Sequence, residues 1–391
     1  MPNRMLRGAA PFPLVMCLAA LFPVVAQAQV ITVTPLPTPR KSPAAKPPRP
    51  RPRPAAPSKP VFRKPTLVWK TFLRRVDGSP ASTERVSFLG AGSYLYQIDS
   101  GGRTLWATET GNQQSTPVLD DDKAYVGSDR GILYAIRRKT GVVAWQFAGA
   151  SATNTIQTRP VVHGGVVVFE STDNSVYGLD AVSGKQKWKF TRADGSLGYS
   201  SPRFGGASAL YVCGETTLYR LDLKTGKEQW RALMGGKSAS TPDVGGGRAY
   251  VGGDGTGLSA FSLDSGARLW NFKGAQAADW FGAPLYADGT VYVATDSRYV
   301  YALDAPTGKI QWSYRLLGSS LSQPAVDARR GVLYVASTTF RDNPTLTALD
   351  IKTGRSLWSY RVGYVGGSPV ISGDWLYVGT TDGYYYCFAL D

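Results

Sequence analysis

LTALDIKTGRSLW, residues 346–358, reads as a β-strand, a tight turn and a second strand ending in tryptophan. Within its D-x-x-T-G-x-x-x-W core each residue has a distinct physical task. The Asp350 carboxylate can close an Asx-type turn, and Gly354 supplies the positive φ that a hairpin needs. Trp358 then presents a flat face, on the order of 200 Å² of surface, to whatever comes next. The chain returns to this unit at 133–145, 176–188, 218–230, 258–270 and 300–312, with a shortened copy at 95–106. A repeat of this length decides the architecture before any local assignment.

Two further markers run in phase with it. Tryptophans at 69, 106, 145, 188, 230, 270, 312 and 358 are separated by 37 to 46 residues. Proline at 80, 117, 160, 202, 242, 284, 324 and 369 opens each unit, usually after Ser or Thr. A strand resembling YVGS follows each proline, as at Ala124–Ser128, Leu210–Gly214 and Leu376–Thr380. Proline is tolerated at the first position of a strand, where its missing N–H is not needed.

Four short strands per roughly 42 residues, with few helical windows, predict an all-β fold, a β-propeller of four-stranded antiparallel blades. The eight tryptophans, Trp69, Trp106, Trp145, Trp188, Trp230, Trp270, Trp312 and Trp358, are expected to dock neighbouring blades. The last unit stops before its tryptophan strand, whereas TLVWK (66–70) precedes any proline. The expected solution is an amino-terminal strand that completes the last blade, giving eight blades and removing two exposed edges.

The formal charge of +16 over 391 residues is unevenly placed. Residues 1–66 contain no acid; Arg4 and Arg7 lie in residues 1–28 and nine Lys or Arg in 29–66, which leaves +5 for residues 67–391. Residues 1–28 read as an export signal, with a basic start, an apolar stretch and the Ala26-Gln27-Ala28 cleavage pattern. Met16 before Cys17 is a poor fit to a lipidation site, so cleavage is expected after Ala28. Residues 29–65 form a Pro/Arg/Lys-rich linker, with 12 prolines in 29–66, expected to be extended and without a packed core. Lys46, Arg49, Arg51, Arg53 and Lys59 make it a candidate arm for nucleic acid or another polyanion, and an alternative function is nucleic-acid or nucleotide binding through this arm and channel-mouth arginines. The propeller is expected over 66–391 as a monomer, with Cys213 and Cys387 as buried free thiols.

The A-x-D-x-x-T-G-x-x-x-W motif resembles the pyrroloquinoline-quinone-like propeller repeat, and the likeness covers essentially all of residues 66–391. Eight blades after an export signal, with no added domain, are similar to the BamB family of propeller lipoproteins in the outer-membrane barrel-assembly machinery. That resemblance implies a non-catalytic scaffold in the periplasm or cell envelope, peripheral to the outer membrane, whose partners are envelope proteins. Two features depart from that family: the lipidation motif is missing and a long basic linker is present. Quinoprotein dehydrogenases share the repeat, and through them the resemblance implies pyrroloquinoline quinone binding without turnover as an alternative. Those enzymes use calcium held by carboxylates, an aspartate base and often a disulfide of adjacent cysteines, and this chain has no adjacent cysteine pair.

A catalytic set is not legible. His163 is the one histidine and is expected in a hairpin turn, so no His-based triad or His-rich metal site can be built. Asp120–Asp122 is expected to be a solvated turn, and GGDGTG (252–257) lacks the Lys-Ser/Thr and the helix of a phosphate loop. Binding residues are better sought where the repeat is broken, because loops on a rigid scaffold carry recognition. Connections lengthen at Ala148–Thr158, at Ala275–Gly282, which adds Trp280, and at Thr339–Thr345, which adds Arg341. Arg159 and Gln323 stand where other units place Ser or Thr before proline, near the expected central channel.

Overall fold

The computed structural model describes residues 64–390 except 113–114, 150–153, 196–199, 207, 239, 277–278 and 338–343. The export signal, the arm residues Lys46 to Lys59 and Arg341 lie outside the described residues. No described helix is long and apolar enough to cross a membrane.

The described strands form eight antiparallel sheets of four, and seven of these use four consecutive strands. The blade containing the opening motif runs Ala325–Asp327, Val332–Ala336, Thr345–Asp350 and Ser356–Arg361. Its innermost strand follows Pro324 directly, and every other blade likewise opens on the residue after its proline. The YVGS marker is the second strand, and where the structure draws it, it begins one residue earlier than the sequence suggested, as in Lys123–Gly127 and Ala209–Cys213. His163 is a small correction as well: it ends the strand Val161–His163, and the turn itself is Gly164-Gly165. Two glycines with positive φ satisfy that turn, so the imidazole is left on its rim.

The third-to-fourth strand hairpin shows why the motif is built as it is. Asp350 Oδ1 accepts the Thr353 N–H at 2.8 Å and the Thr353 hydroxyl at 2.7 Å. Gly354 closes the turn at φ 68°, donating its N–H to the Asp350 carbonyl at 2.8 Å. The register then slips by one residue, pairing Leu349 with Ser356 and Ala348 with Trp358. A bulge after a left-handed glycine re-aims the strand behind it. The same slip recurs in every third-to-fourth strand hairpin of the seven consecutive blades.

Each re-aimed tryptophan docks on the turn of the following blade. Trp188 Nε1 donates to the Leu223 carbonyl at 2.9 Å, and Trp312 Nε1 to Ile351 at 2.9 Å. Trp106, Trp145, Trp230 and Trp270 make the equivalent bonds to Arg138, Ala181, Leu263 and Ala305. The ring lies over the turn glycine so closely that a Cβ on Gly354 would sit 2.5 Å from Trp312 Cε3. Trp358 faces the blade in which this hairpin is replaced by two separate strands, and it packs into the apolar cluster of Tyr386, Phe388 and Leu390.

That last blade is closed as expected. Thr66–Phe72 pairs antiparallel with Tyr384–Ala389, bringing Trp69 opposite Cys387. Leu89, Ala91 and Ile98 of the first blade pack with Tyr377, Tyr385 and Cys387 of the last. Core clusters of this kind lie between blades, built from second and third strands that are almost wholly buried. Each fully buried large apolar side chain contributes about 1.5–3 kcal/mol, so the blade interfaces supply much of the stability. Cys213 and Cys387 are free and buried, and burial pushes the Cys387 thiol up to about 12.

Candidate functional site: the central channel

The eight innermost strands leave a central channel, and the residues before the prolines form a belt around it. The backbone N–H of Ser79 donates to Thr116 Oγ1 at 3.0 Å, so one blade is tied to the next. Arg159 N–H repeats this with Ser201 Oγ at 3.0 Å, and Ser201 N–H with Thr241 Oγ1 at 3.1 Å. Gln323 N–H donates to Ser368 Oγ at 3.0 Å, and Ser368 N–H closes the circle on Ser79 Oγ at 2.7 Å. The belt has three gaps, at Arg159, Ala283 and Gln323, which carry no hydroxyl to receive the neighbour's N–H. The Gln323 amide instead donates through Nε2 to the Pro284 carbonyl at 2.6 Å.

Two cavities share this belt. One, of about 510 Å³, opens on the face formed by the connections between blades. Its rim carries Trp280, Tyr364 and the Arg75–Asp77 pair, whose Nε and Oδ1 lie 2.7 Å apart. Trp280 is 37% exposed, although its backbone is fixed. Its N–H donates to Asp296 Oδ1 at 2.9 Å, and it bridges to Asp254 of the preceding blade. Phe281 beside it is buried edge-on against Phe272. A rigidly held, half-exposed indole over a small cavity is a typical interface anchor.

The other cavity, about 720 Å³, is the channel between the innermost strands. Arg159, Arg203 and Gln323 line it together with Ser82, Thr116 and Val161, among others. Arg203 Nη2 reaches Asp243 Oδ1 at 2.6 Å, and Asp243 is buried behind it. Burial, opposed by Arg203, raises the Asp243 carboxyl above its ordinary range. Surrounding protein and the Arg203 charge hold the Arg159 guanidinium below its ordinary range.

The structure thus brings Trp280 and Gln323 to one cavity and Arg159 and Gln323 to the other, with Gln323 at their common belt. Arg203, Asp243 and the gap at Ala283 were missed in the sequence. Arg203 had a signal: it stands directly after proline, where six of the other seven units carry Ala, Val or Leu. Also missed was Glu170, fully buried and ion-paired with Arg192, with the Ser200 hydroxyl donating to Oε1 at 3.2 Å. Burial outweighs Arg192 and pushes the Glu170 carboxyl up to about 7.

The quinone implied by the repeat finds little here that fits it. Among the described residues no three His, Cys, Asp or Glu side chains gather where they could hold a metal ion. Asp120 is used within its own turn, accepting the N–H groups of Asp122 and Lys123 at 2.9 and 2.5 Å. The two described cysteines, Cys213 and Cys387, are each free and buried.

Comparison with known proteins agrees with this architecture. Over 297 residues the chain is 26% identical to the outer membrane protein assembly factor BamB of Yersinia pestis, covering 68% of this chain and 64% of the relative. With the BamB of Salmonella typhimurium it shares 29% over 243 residues, covering 55% of this chain and 61% of the relative. The chain therefore spans less than two thirds of the length of either relative. Among solved structures, BamB from Moraxella catarrhalis superposes with a TM-score of 0.70 at 17% identity, covering 83% of this chain and all of that one. The quinohemoprotein alcohol dehydrogenase of Comamonas testosteroni superposes at 0.64 and 15% identity over 83% of this chain and 76% of its own, a likeness of fold alone. The family model described as outer membrane protein assembly factor BamB matches residues 67–147, 91–204, 200–281 and 276–389, and the chain belongs to that family.

Proposed function

We propose that this chain is an exported, non-catalytic scaffold in outer-membrane protein assembly, recruiting envelope proteins to the face of the ring marked by Trp280. Membership of the BamB family over residues 67–389 carries the reading. The exposed indole on a fixed backbone supports the choice of face, because aromatic anchors beside a polar rim dominate protein interfaces. The non-catalytic part rests on the sequence, whose single histidine and scattered acids offer no catalytic set. Affinity capture from envelope fractions tests it, comparing the full chain with Trp280→Ala. Outer-membrane assembly components are expected with the full chain and at clearly reduced yield with the variant. Capture that returns none of them would overturn the proposal.

A second reading, binding of nucleic acid or another polyanion, is favoured by one observation: nine Lys or Arg and no acid in residues 29–66. Such an arm acts through counterion release and carries no sequence preference.

A further inference from the structure

We propose that the channel cavity between the innermost strands binds a compact polyoxyanion, a small molecule with clustered phosphate or carboxylate oxygens, through Arg159 and Arg203. The site is distinct from the Trp280 face and does not rest on the assembly reading.

The first argument is composition. Among the described residues two arginines line this cavity of about 720 Å³, and no aspartate or glutamate does. The remaining polar lining is hydroxyl and amide, which donates readily to oxygen. A cleft lined by charge of one sign focuses the field on a small counter-ion.

The second argument is placement. Arg159 precedes the proline of the third blade and Arg203 follows that of the fourth, so the pair comes from neighbouring blades. Asp243 fixes Arg203 through one nitrogen at 2.6 Å, while Asp243 Oδ2 accepts the Tyr286 N–H at 2.7 Å. Arg203 is therefore positioned and partly neutralised. Arg159 is neither. Its backbone is anchored to Ser201, yet among the described residues its guanidinium has no hydrogen-bond or ion-pair partner. It remains accessible to solvent in the channel, and the neighbouring Arg203 charge disfavours its own. A guanidinium fork matches phosphate and carboxylate alike, and an anion between the two side chains would turn their repulsion into two attractions.

The third argument is the belt. Thr116 and Thr241 line the same cavity, and the blades that follow them offer Arg159 and Ala283 where others offer a hydroxyl. The gaps fall where a bound oxygen could take that place.

Calorimetric titration of the full chain with inorganic phosphate and, separately, with citrate tests the proposal. Saturable binding of at least one is expected, weakened tenfold or more in Arg159→Gln and in Arg203→Gln, and unchanged in Trp280→Ala. Stronger phosphate binding assigns the phosphate class, and stronger citrate binding the carboxylate class. Arg159→Lys, which keeps charge but loses the fork, should fall between the wild type and Arg159→Gln. Because the Arg159 side chain makes no hydrogen bond or ion pair among the described residues, its variants should keep a urea midpoint close to that of the wild type. Absence of saturable binding of both anions, or an affinity unchanged in a folded Arg159→Gln protein, overturns the proposal.

Discussion

The indole N–H of Trp69 donates to the Ser100 carbonyl at 2.7 Å, the same bond that Trp106, Trp145, Trp188, Trp230, Trp270 and Trp312 make one blade further on. Thr71 adds a second bond, from its hydroxyl to the Gly102 carbonyl at 2.8 Å. The closing strand is thus docked by the ordinary blade chemistry, although it comes from the opposite end of the chain. Trp69→Ala should cost about 3–5 kcal/mol, read as a lower urea midpoint, and a loss below about 1 kcal/mol would show that closure does not depend on this ring.

Gly354 and Gly165 separate two costs that usually come together. Both have positive φ, 68° and 74°, but a Cβ at Gly354 meets Trp312 at 2.5 Å whereas one at Gly165 meets nothing within 4 Å. Gly165→Ala should lose only the backbone term of about 1–2 kcal/mol. Gly354→Ala should lose more, because the docked ring must shift. Equal urea midpoints for the two variants would contradict the docking account.

Glu170 predicts a pH dependence of stability. Its carboxyl titrates near 4.5 when unperturbed and near 7 in the fold. Between those values the folded state holds a proton that the unfolded state has released, so stability is greatest at the acid end and declines as pH rises toward 7. Glu170→Gln should flatten that part of the curve, measured as urea midpoint against pH. Glu170→Ala should instead destabilise the fold clearly more than Glu170→Gln, because it removes the carboxylate ion-paired with the buried Arg192.

The basic arm makes a salt-dependent prediction. If all nine charges engage duplex DNA, the logarithm of affinity should fall against the logarithm of salt with a slope approaching about −8, at ~0.9 per neutralised phosphate. Deleting residues 29–59 should remove most of that slope in a fluorescence anisotropy titration. An affinity and slope unaltered by the deletion would end the polyanion reading.

The fold was legible because its determinants are local and periodic. Asp350, Gly354 and Trp358 act within nine residues, and each of the seven consecutive blades repeats some form of the device. Closure was legible too, since a tryptophan strand without a proline and a final unit without a tryptophan strand complete each other. The candidate site was legible only in part. Arg159, Gln323 and Trp280 stood out as breaks in a periodic pattern, whereas Ala283 looks like any small residue until the belt hydrogen bonds are traced. Glu170 and Arg192 are separated in sequence and meet only through strand pairing, so no spacing rule announces them. Direction was hidden as well: the sequence gives Ser and Thr before proline, but not that each hydroxyl serves the preceding blade.

Pairing Thr66–Phe72 with Tyr384–Ala389 also sets an order in time. The strand made first must wait for one made roughly 300 residues later, a separation that slows folding through loop-closure entropy. Until then Trp69 has no sheet to join and the first and last blades each lack a neighbour. A chain crossing a membrane in extended form would therefore emerge with its closing strand foremost and its ring open. The period before closure is when its apolar blade faces are exposed to chaperones and proteases.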